Sequence, residues 1–174
     1  MATVSYGLKI TEAYHVFDKT ITIYRNAVHY ISAIAVRHYD ELKSLDNITG
    51  DDGKVIISAQ QRRQQKIERL IHSTANNDAV YKHFDDEFYK FPSYLRRDAI
   101  NTAVGLILSY RSQLQKWEDG EKHGRRPYLN RNQNTMPCFY RNNTFLDSEE
   151  TNIVSLKLYS GKDWIWETFV IRDC

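Results

Sequence analysis

Hydrophobic residues recur at alternating three- and four-residue spacing over two long stretches of the chain. One stretch runs from Tyr14 to Leu42 and predicts a long helix with a single apolar face. The β-branched run Thr20–Tyr24 would permit a break, although the periodicity on both sides favours a helix. Tyr94–Trp117 predicts a second long helix, whereas the polar, glycine-containing segment Leu45–Lys54 predicts an exposed loop.

Two shorter helices are expected between the long ones. Ser58 followed by Gln61 is a capping-box pattern, which predicts the start of a short helix with a basic outer face. Asn76 and Asn77 predict the cap of the next helix. Ser93 can cap the long helix that follows.

Near both ends of the chain the hydrophobic pattern has a period of two, which is typical of half-buried strands. Thr3–Ile10 predicts an N-terminal strand, and Cys138–Leu146 predicts a strand late in the chain. Ile153–Tyr159 and Trp164–Ile171 flank the turn-forming residues Ser160–Asp163, so they predict a β-hairpin.

This order of elements predicts an α+β fold. The simplest arrangement pairs the N-terminal strand with the C-terminal strands in a small antiparallel sheet or β-barrel. The helices then form a lobe inserted between the strands. We therefore expect a wedge-like β domain from residues 1–12 and 135–174, and a helical lobe with a long basic loop from residues 13–134.

Composition agrees with one globular domain, or one domain with a modest insertion. The chain has 174 residues, of which 41% are hydrophobic and 26% are charged. No run approaches the roughly 18 apolar residues of a membrane-spanning helix, and no signal peptide is recognisable, so we expect a cytoplasmic protein. Cys138 and Cys174 lie far apart and are expected to be reduced thiols.

The sequence contains no recognisable catalytic or metal-binding motif. Asp85–Glu87 would point about 100° apart on a helix, so these carboxylates cannot converge on one metal ion. His15 and His29 would lie roughly 21 Å apart along their helix, too far for a shared ion, and His38 falls in the apolar seam. Motifs for a nucleophile or a phosphate-binding loop are also missing. We expect no enzyme activity, no metal and no cofactor.

Positive charge is concentrated in one part of the chain. Between Phe91 and Phe145, nine Lys and Arg stand against four Asp and Glu, a net charge of +5 in a chain of net charge +2. The loop Lys122–Arg131 interleaves cations with Tyr128 and amide side chains, a mixture that suits phosphate contacts and base stacking. A solvated basic loop without a ligand has the same composition, so composition leaves both interpretations open.

Several segments together resemble a known family. They are Phe91–Ile100 leading into Ala103–Arg111, then Gly124–Leu129, the hairpin turn Gly161–Trp164, and Tyr24–Ala27 in the first helix. In these segments the chain is similar to the N-terminal half of the TnpB (OrfB) proteins of insertion sequences. Those proteins are RNA-guided nucleases related to type V CRISPR effectors. Their N-terminal half is a wedge β-barrel interrupted by a helical recognition lobe.

The resemblance implies a non-catalytic module that grips a guide-type or structured RNA, or an RNA–DNA heteroduplex. The family's nuclease domain and zinc-ribbon cysteines have no counterpart in this sequence, so we expect no DNA cleavage. Tyr128 is the expected stacking residue, and the other candidates are cations for phosphate contacts. The candidate RNA-binding residues are Arg96, Arg97, Arg111, Lys122, Arg125, Arg126, Tyr128, Arg131 and Arg141.

Three functional hypotheses follow from the sequence. In the first, the chain is the RNA-binding portion of a guide nuclease. In the second, it is an autonomous protein, descended from such a module, that inhibits or regulates a CRISPR or TnpB-type complex. In the third, the apolar stripe from Tyr14 to Leu42 mediates dimerisation, and the protein is a protein-interaction module.

Overall fold

A computed structural model of the chain describes residues 8–10, 15–130, 134–147 and 152–173. These residues form five helices and six strands, and none of these helices is both long enough and apolar enough to cross a membrane. The helices are α1 (His15–Arg37), α2 (Tyr39–Lys43), α3 (Ala59–Ile71), α4 (His83–Glu87) and α5 (Ser93–Glu118). The strands are β1 (Leu8–Ile10), β2 (Ile48–Thr49), β3 (Val55–Ile57), β4 (Phe145–Asp147), β5 (Ile153–Tyr159) and β6 (Trp164–Asp173).

Four strands form one antiparallel sheet in the order β1, β6, β5, β4. Ile10 pairs with Ile171, so the N-terminal strand joins the C-terminal strands as predicted. β5 and β6 are the predicted hairpin, in which Tyr159 and Trp164 form the last pair before the turn. An α+β fold with a small antiparallel sheet is confirmed. A closed barrel is not confirmed, because β1 and β4 lie at opposite edges of the described sheet.

Of the strand predicted at Cys138–Leu146, only Phe145 and Leu146 belong to β4, and a turn directly precedes them. The Thr144 hydroxyl accepts a hydrogen bond from the Tyr140 amide at 2.7 Å, and the Thr144 amide donates to the Tyr140 carbonyl at 2.9 Å. Asn142 has a φ of 65°, in the left-handed region that asparagine tolerates. These local bonds occupy backbone groups that a longer strand would offer to β5.

The long helix predicted at Tyr14–Leu42 is divided at His38 into α1 and α2. The His38 amide still donates to the Ile34 carbonyl at 3.1 Å, but its φ of −104° and ψ of 18° are not helical. The His38 ring is hydrogen-bonded to the Tyr81 hydroxyl at 3.1 Å, which holds the bend against the segment before α4. α1 is continuous through Thr20–Tyr24, so burial outweighs the local preference for strand.

The exposed loop predicted at Leu45–Lys54 contains part of a small hairpin, formed by β2 and β3. Its turn uses the residues that the sequence identified as turn formers. The Gly50 amide donates to the Lys54 carbonyl at 2.9 Å, and Gly53 has a φ of 74°. The hairpin remains exposed, with Ile56 66% accessible.

One of the three predicted helix caps is confirmed. The Ser58 hydroxyl accepts a hydrogen bond from the Gln61 amide at 3.1 Å at the start of α3. Asn76 and Asn77 do not cap α4. The Asn77 side chain instead donates to two carbonyls at the end of α3, each at 2.8 Å. Ser93 is the first residue of α5, and Pro92 precedes it without a side-chain cap.

The main hydrophobic core lies where α1 and α5 pack side by side and α3 and α4 cover them. Tyr24, Ile31, Ile67, Leu95 and Ile100 are completely buried there. Each large apolar side chain buried in this way contributes roughly 2 kcal/mol. The apolar stripe of α1 points into this core, so the chain's own helices enclose the side chains that the dimerisation hypothesis would use.

A smaller core lies under the C-terminal hairpin. Leu158 and Phe169 of the hairpin pack with Val16 and Phe17 of α1, and the rings of Phe17 and Phe169 stack at 5.4 Å. Trp164 belongs to the main core instead. α1 therefore contributes to both cores. The division into a β domain and an inserted lobe stays a prediction.

A hydrogen-bond network centred on Asp98 joins α1, α5 and the segment before β4. The Tyr24 hydroxyl donates to Asp98 Oδ2 at 2.6 Å, and the Cys138 amide donates to the same oxygen at 2.9 Å. Thr102 Oγ1 lies 3.1 Å from the Tyr24 hydroxyl. Burial and the bond to Asp98 raise the pKa of Tyr24, so its hydroxyl keeps its proton and remains a donor.

We expect Tyr24→Phe to lower the free energy of unfolding by about 2 kcal/mol, because it leaves a part-buried carboxylate without its strongest donor. Urea denaturation monitored by circular dichroism would measure the change. Tyr128→Phe removes a hydroxyl from a ring that is 78% exposed, and it should change stability by less than about 0.5 kcal/mol. Equal effects of the two substitutions would contradict a role for the Asp98 network.

The raised pKa of Tyr24 predicts a loss of stability at alkaline pH. Its folded-state pKa lies above the unfolded value of about 10, so the contribution is complete below pH ~10 and declines as the pH rises further. Where the unfolded state has released one proton that the folded state keeps, the free energy of unfolding falls by about 1.4 kcal/mol per pH unit. The difference in the free energy of unfolding between wild type and Tyr24→Phe should therefore become smaller above pH ~10. Parallel curves would refute the assignment, since Tyr30 and Tyr140, whose pKa values burial also raises, are present in both proteins.

Candidate nucleic-acid interface

The basic loop after α5 folds back along that helix. Gly120 and Gly124 have φ values of 75° and 105°, which let the chain reverse where other residues would be strained. The Lys122 amide donates to the Lys116 carbonyl at 3.0 Å. The Trp117 indole N–H donates to the Gly124 carbonyl at 3.0 Å, so a side chain of the helix ties down the loop.

Between the loop and the second half of α5 lies a cleft of about 500 Å³, here called the α5 cleft. Its helix side offers small polar and aromatic groups, and its loop side offers three cations and a tyrosine. The lining residues are Leu106, Ser109, Tyr110, Gln113, Lys122, Arg125, Arg126, Pro127, Tyr128, Leu129 and Asn130. Four of the candidate residues, Lys122, Arg125, Arg126 and Tyr128, are thus brought together.

The three cations of the α5 cleft are weakly engaged within the chain. Lys122 Nζ lies 3.4 Å from Gln113 Oε1. Arg126 Nη2 lies 3.5 Å from Glu118 Oε1, and the side chains of Arg126 and Glu118 are 64% and 46% exposed. The Arg126 guanidinium also lies over the Trp117 ring. Such exposed pairs contribute little, so an external anion can compete for the guanidinium. Arg125 has no side-chain partner among the described residues.

Tyr128 extends from the loop with 78% of its surface exposed, whereas its neighbour Leu129 packs against the main core. Leu129 thus anchors the loop while the Tyr128 ring remains open on the cleft side. An aromatic face held beside cations is the arrangement on which a nucleobase stacks while its phosphate is neutralised.

Arg96 and Arg97 lie outside the α5 cleft and share one carboxylate. Arg96 donates through Nε and Nη2 to Glu68 Oε1, at 3.3 and 3.1 Å, and its side chain is only 9% exposed. Arg97 Nε lies 3.6 Å from Glu68 Oε2, and its guanidinium lies over the Tyr94 ring. These two arginines therefore join α5 to α3.

The remaining candidates are dispersed. The Arg111 guanidinium lies over the Tyr39 ring, 4.5 Å from its centroid, on the side of α2. Arg141 forms an ion pair with Asp147 at 2.9 Å beside β4. Arg131 lies outside the described residues.

Helix geometry explains this division. Arg97 and Arg111 are fourteen residues apart on α5, which places them roughly 40° apart around the helix axis. Leu106, which lines the α5 cleft, is nine residues from Arg97 and therefore roughly 180° away from it. The described candidates do not form one surface, because α5 directs Arg97 and Arg111 away from the cations of its loop and Arg141 lies beside β4.

Several residues that build the α5 cleft were not identified from the sequence. The sequence predicts Trp117 as the end of an apolar helix stripe and indicates no ligand role for Ser109, Tyr110 or Gln113. Ser109 and Gln113 are four residues apart and hydrogen-bonded at 3.2 Å, a spacing that marks one polar helix face. That polar strip beside a basic loop was the available signal.

The described groups show no cluster of metal ligands, and the environment of the Cys138 thiol does not activate it. Burial and the nearby Asp98 charge raise the pKa of the Cys138 thiol, which disfavours the reactive thiolate. Asp85 is hydrogen-bonded to His72 at 2.7 Å and does not converge with its two acidic neighbours. Within the described ranges, no three His, Cys, Asp or Glu residues are placed to hold a metal ion.

We expect Trp117→Phe to loosen the basic loop, because it removes the N–H donor to Gly124 while keeping an aromatic ring. Loss of one hydrogen bond of about 1 kcal/mol should accelerate trypsin cleavage after Lys122 and Arg125 by about fivefold. Mass spectrometry of timed digests would measure the rates. Cleavage after Lys54, in the β2–β3 turn, is the internal control, and an equal acceleration there would indicate general destabilisation instead.

Comparison with known proteins identifies one family. A family model described as the Aq_aa04 family matches residues 2–160 of this chain. No curated protein and no solved structure matches the chain. The matched range includes α1 to α5, the whole α5 cleft and the first strand of the C-terminal hairpin. Because it spans most of the 174 residues, the chain belongs to the Aq_aa04 family.

Proposed function

We propose that the protein is a non-catalytic RNA-binding protein and that the α5 cleft contacts a single-stranded segment of a structured RNA. One observation carries the proposal. Lys122, Arg125 and Arg126 line the same cavity as the exposed ring of Tyr128. Cations and an aromatic face in one concave site can engage both components of a nucleotide.

The cations would supply most of the affinity by neutralising phosphates. All three are exposed, and Arg125 has no competing partner among the described residues. Each phosphate contact releases condensed counterions, so the logarithm of the affinity falls by about 0.7 per contact for each tenfold increase in salt. Three contacts predict a slope of about −2.

The polar groups of the cleft favour RNA over DNA in this proposal. Ser109 and Gln113 on the helix and Asn130 on the loop present hydroxyl and amide groups to the cavity. A ribose 2′-hydroxyl both donates and accepts hydrogen bonds, so such groups can distinguish it from deoxyribose. The described lining contains no carboxylate, histidine or thiol.

The resemblance to TnpB proteins leads to a more specific proposal about the ligand and the setting. It implies a guide-type RNA or an RNA–DNA heteroduplex as the ligand, and a nuclease complex in the cytoplasm as the setting. The four-stranded sheet would be the wedge-like part, and a barrel would require further pairing between its two edges. Under this proposal the chain is either the RNA-gripping portion of a guide nuclease or a regulator descended from one.

We expect the full chain to bind a fluorescein-labelled single-stranded RNA, measured by fluorescence anisotropy at several salt concentrations. Tyr128→Ala should weaken binding by about fivefold or more through lost stacking. Arg125→Ala should weaken it and reduce the magnitude of the salt slope by about 0.7. Both side chains are exposed, so the variants should fold normally.

Arg37→Ala is the matched control, because it removes one exposed positive charge at the end of α1, outside the cleft. It should leave the RNA affinity within about twofold of wild type. Single-stranded DNA of the same sequence tests the role of the 2′-hydroxyl. Equal losses with Arg37→Ala and Arg125→Ala, or no binding by the wild type, would refute the α5 cleft as an RNA site.

A further inference from the structure

A second cavity, of about 670 Å³, lies between α3, the turn that follows it and the first turns of α5. We propose that this α3–α5 pocket binds a phosphate group, and that it is a ligand site distinct from the α5 cleft. The lining residues are Gln65, Glu68, Arg69, His72, Thr74, Asn76, Asn77, Arg96 and Arg97.

The wall formed by the turn after α3 is built by hydrogen bonds. The Thr74 and Asn77 backbones donate to each other's carbonyls at 2.9 and 3.2 Å. The Asn77 side-chain amide donates to the carbonyls of Arg69 and His72 at 2.8 Å each. Asn77 thus closes the end of α3 and holds the turn beside the arginines.

Charge is unbalanced in the α3–α5 pocket. Arg69, Arg96 and Arg97 line it, but Glu68 is the only carboxylate among the lining residues. Glu68 uses one oxygen for Arg96 and the other for Arg97, so each guanidinium is only half compensated. Arg69 has no side-chain partner among the described residues. An anion in the pocket would complete the compensation.

Arg96 shows that the site is built into the fold rather than formed by mobile surface residues. Its side chain is only 9% exposed and is fixed by two hydrogen bonds to one Glu68 oxygen. A guanidinium has five N–H donors, and these bonds use two of them. The other donors are held in place near the cavity without an assigned acceptor in the described structure.

His72, which lines the pocket, is bonded to Asp85, a carboxylate outside the lining. His72 Nδ1 is hydrogen-bonded to Asp85 Oδ1 at 2.7 Å, and the other Asp85 oxygen accepts from the Ser73 amide at 2.9 Å. Asp85 is thereby occupied with α3 and its turn. His72 Nε2 has no partner within the described residues, and His72 lines the pocket.

The chemistry of the donors favours phosphate. Planar guanidinium groups bind phosphate oxygens in pairs, and the amides of Gln65 and Asn76 add neutral donors. The pocket lining contains no Phe, Tyr or Trp, so it lacks the kind of stacking platform that Tyr128 offers in the α5 cleft. The recognised group is therefore a phosphate, carried either by a small phosphomonoester or by the backbone of an RNA.

Isothermal titration of the full chain with inorganic phosphate, at fixed ionic strength in chloride, tests the proposal. We expect saturable binding that falls at least about tenfold in the double variant Arg69→Gln, Arg97→Gln. Both side chains are partly exposed, so this variant should keep its fold. Arg37→Gln is the matched control and should bind phosphate as the wild type does. No saturable binding, or equal losses in the double variant and the control, would overturn the proposal.

Glu68→Gln provides a second measurement, because the carboxylate competes with the ligand for both guanidiniums. We expect it to lower the melting temperature and to tighten phosphate binding severalfold. A lower melting temperature with unchanged or weaker phosphate binding would show that Glu68 is only structural, and would overturn the charge argument. If this variant fails to fold, the double variant decides the question.

Competition experiments distinguish the two sources of phosphate. Displacement of inorganic phosphate by a nucleoside monophosphate alone would identify a phosphomonoester site. Displacement by an RNA without terminal phosphates, lost in the double variant, would identify a backbone phosphate. The result is separable from the proposed RNA function, because the RNA anisotropy assay depends on Arg125 and Tyr128, which do not line this pocket.

Discussion

The Asp98 carboxylate is the point on which the arrangement of the molecule depends. It accepts hydrogen bonds from the Tyr24 hydroxyl and the Cys138 amide, so one side chain of α5 fixes both α1 and the chain leading into β4. α1 in turn holds the hairpin, because the buried Thr20 hydroxyl accepts a hydrogen bond from the Tyr159 amide at 2.8 Å. α5 is thereby fixed on one side, and its other surfaces remain available for the two cavities.

Glu68 has a comparable role on the other side of α5. By pairing with Arg96 and Arg97 it binds α3 to α5 and directs these arginines away from the basic loop. A part-buried ion pair adds little net stability, since desolvation offsets much of the attraction. Its main effect is orientation. It fixes two guanidiniums at the wall of a cavity, where free side chains would sample many rotamers.

Periodicity predicted the elements that bury apolar faces, namely α1, α3, α5 and the β5–β6 hairpin. It failed where individual polar side chains make specific hydrogen bonds. His38 bends the first helix, Asn77 closes α3 instead of capping α4, and Thr144 converts a predicted strand into a turn. The candidate cations were recognised by composition, but their grouping was not. The face of α5 that each cation occupies follows from its position in the helix, but the partners that hold these cations, such as Glu68 and Tyr39, are distant in sequence.

The division of the cations determines how the two cavities can act. Arg97 and Gln113 are sixteen residues apart on α5, or roughly 24 Å along its axis, and the two cavities lie on different sides of that helix. The Debye length at physiological ionic strength is about 8 Å, so an anion in one cavity has little electrostatic effect on the other. Small anions bound at the two proposed sites would therefore bind independently. Only an extended polyanion, such as a nucleic acid that wraps around the helix, could couple them.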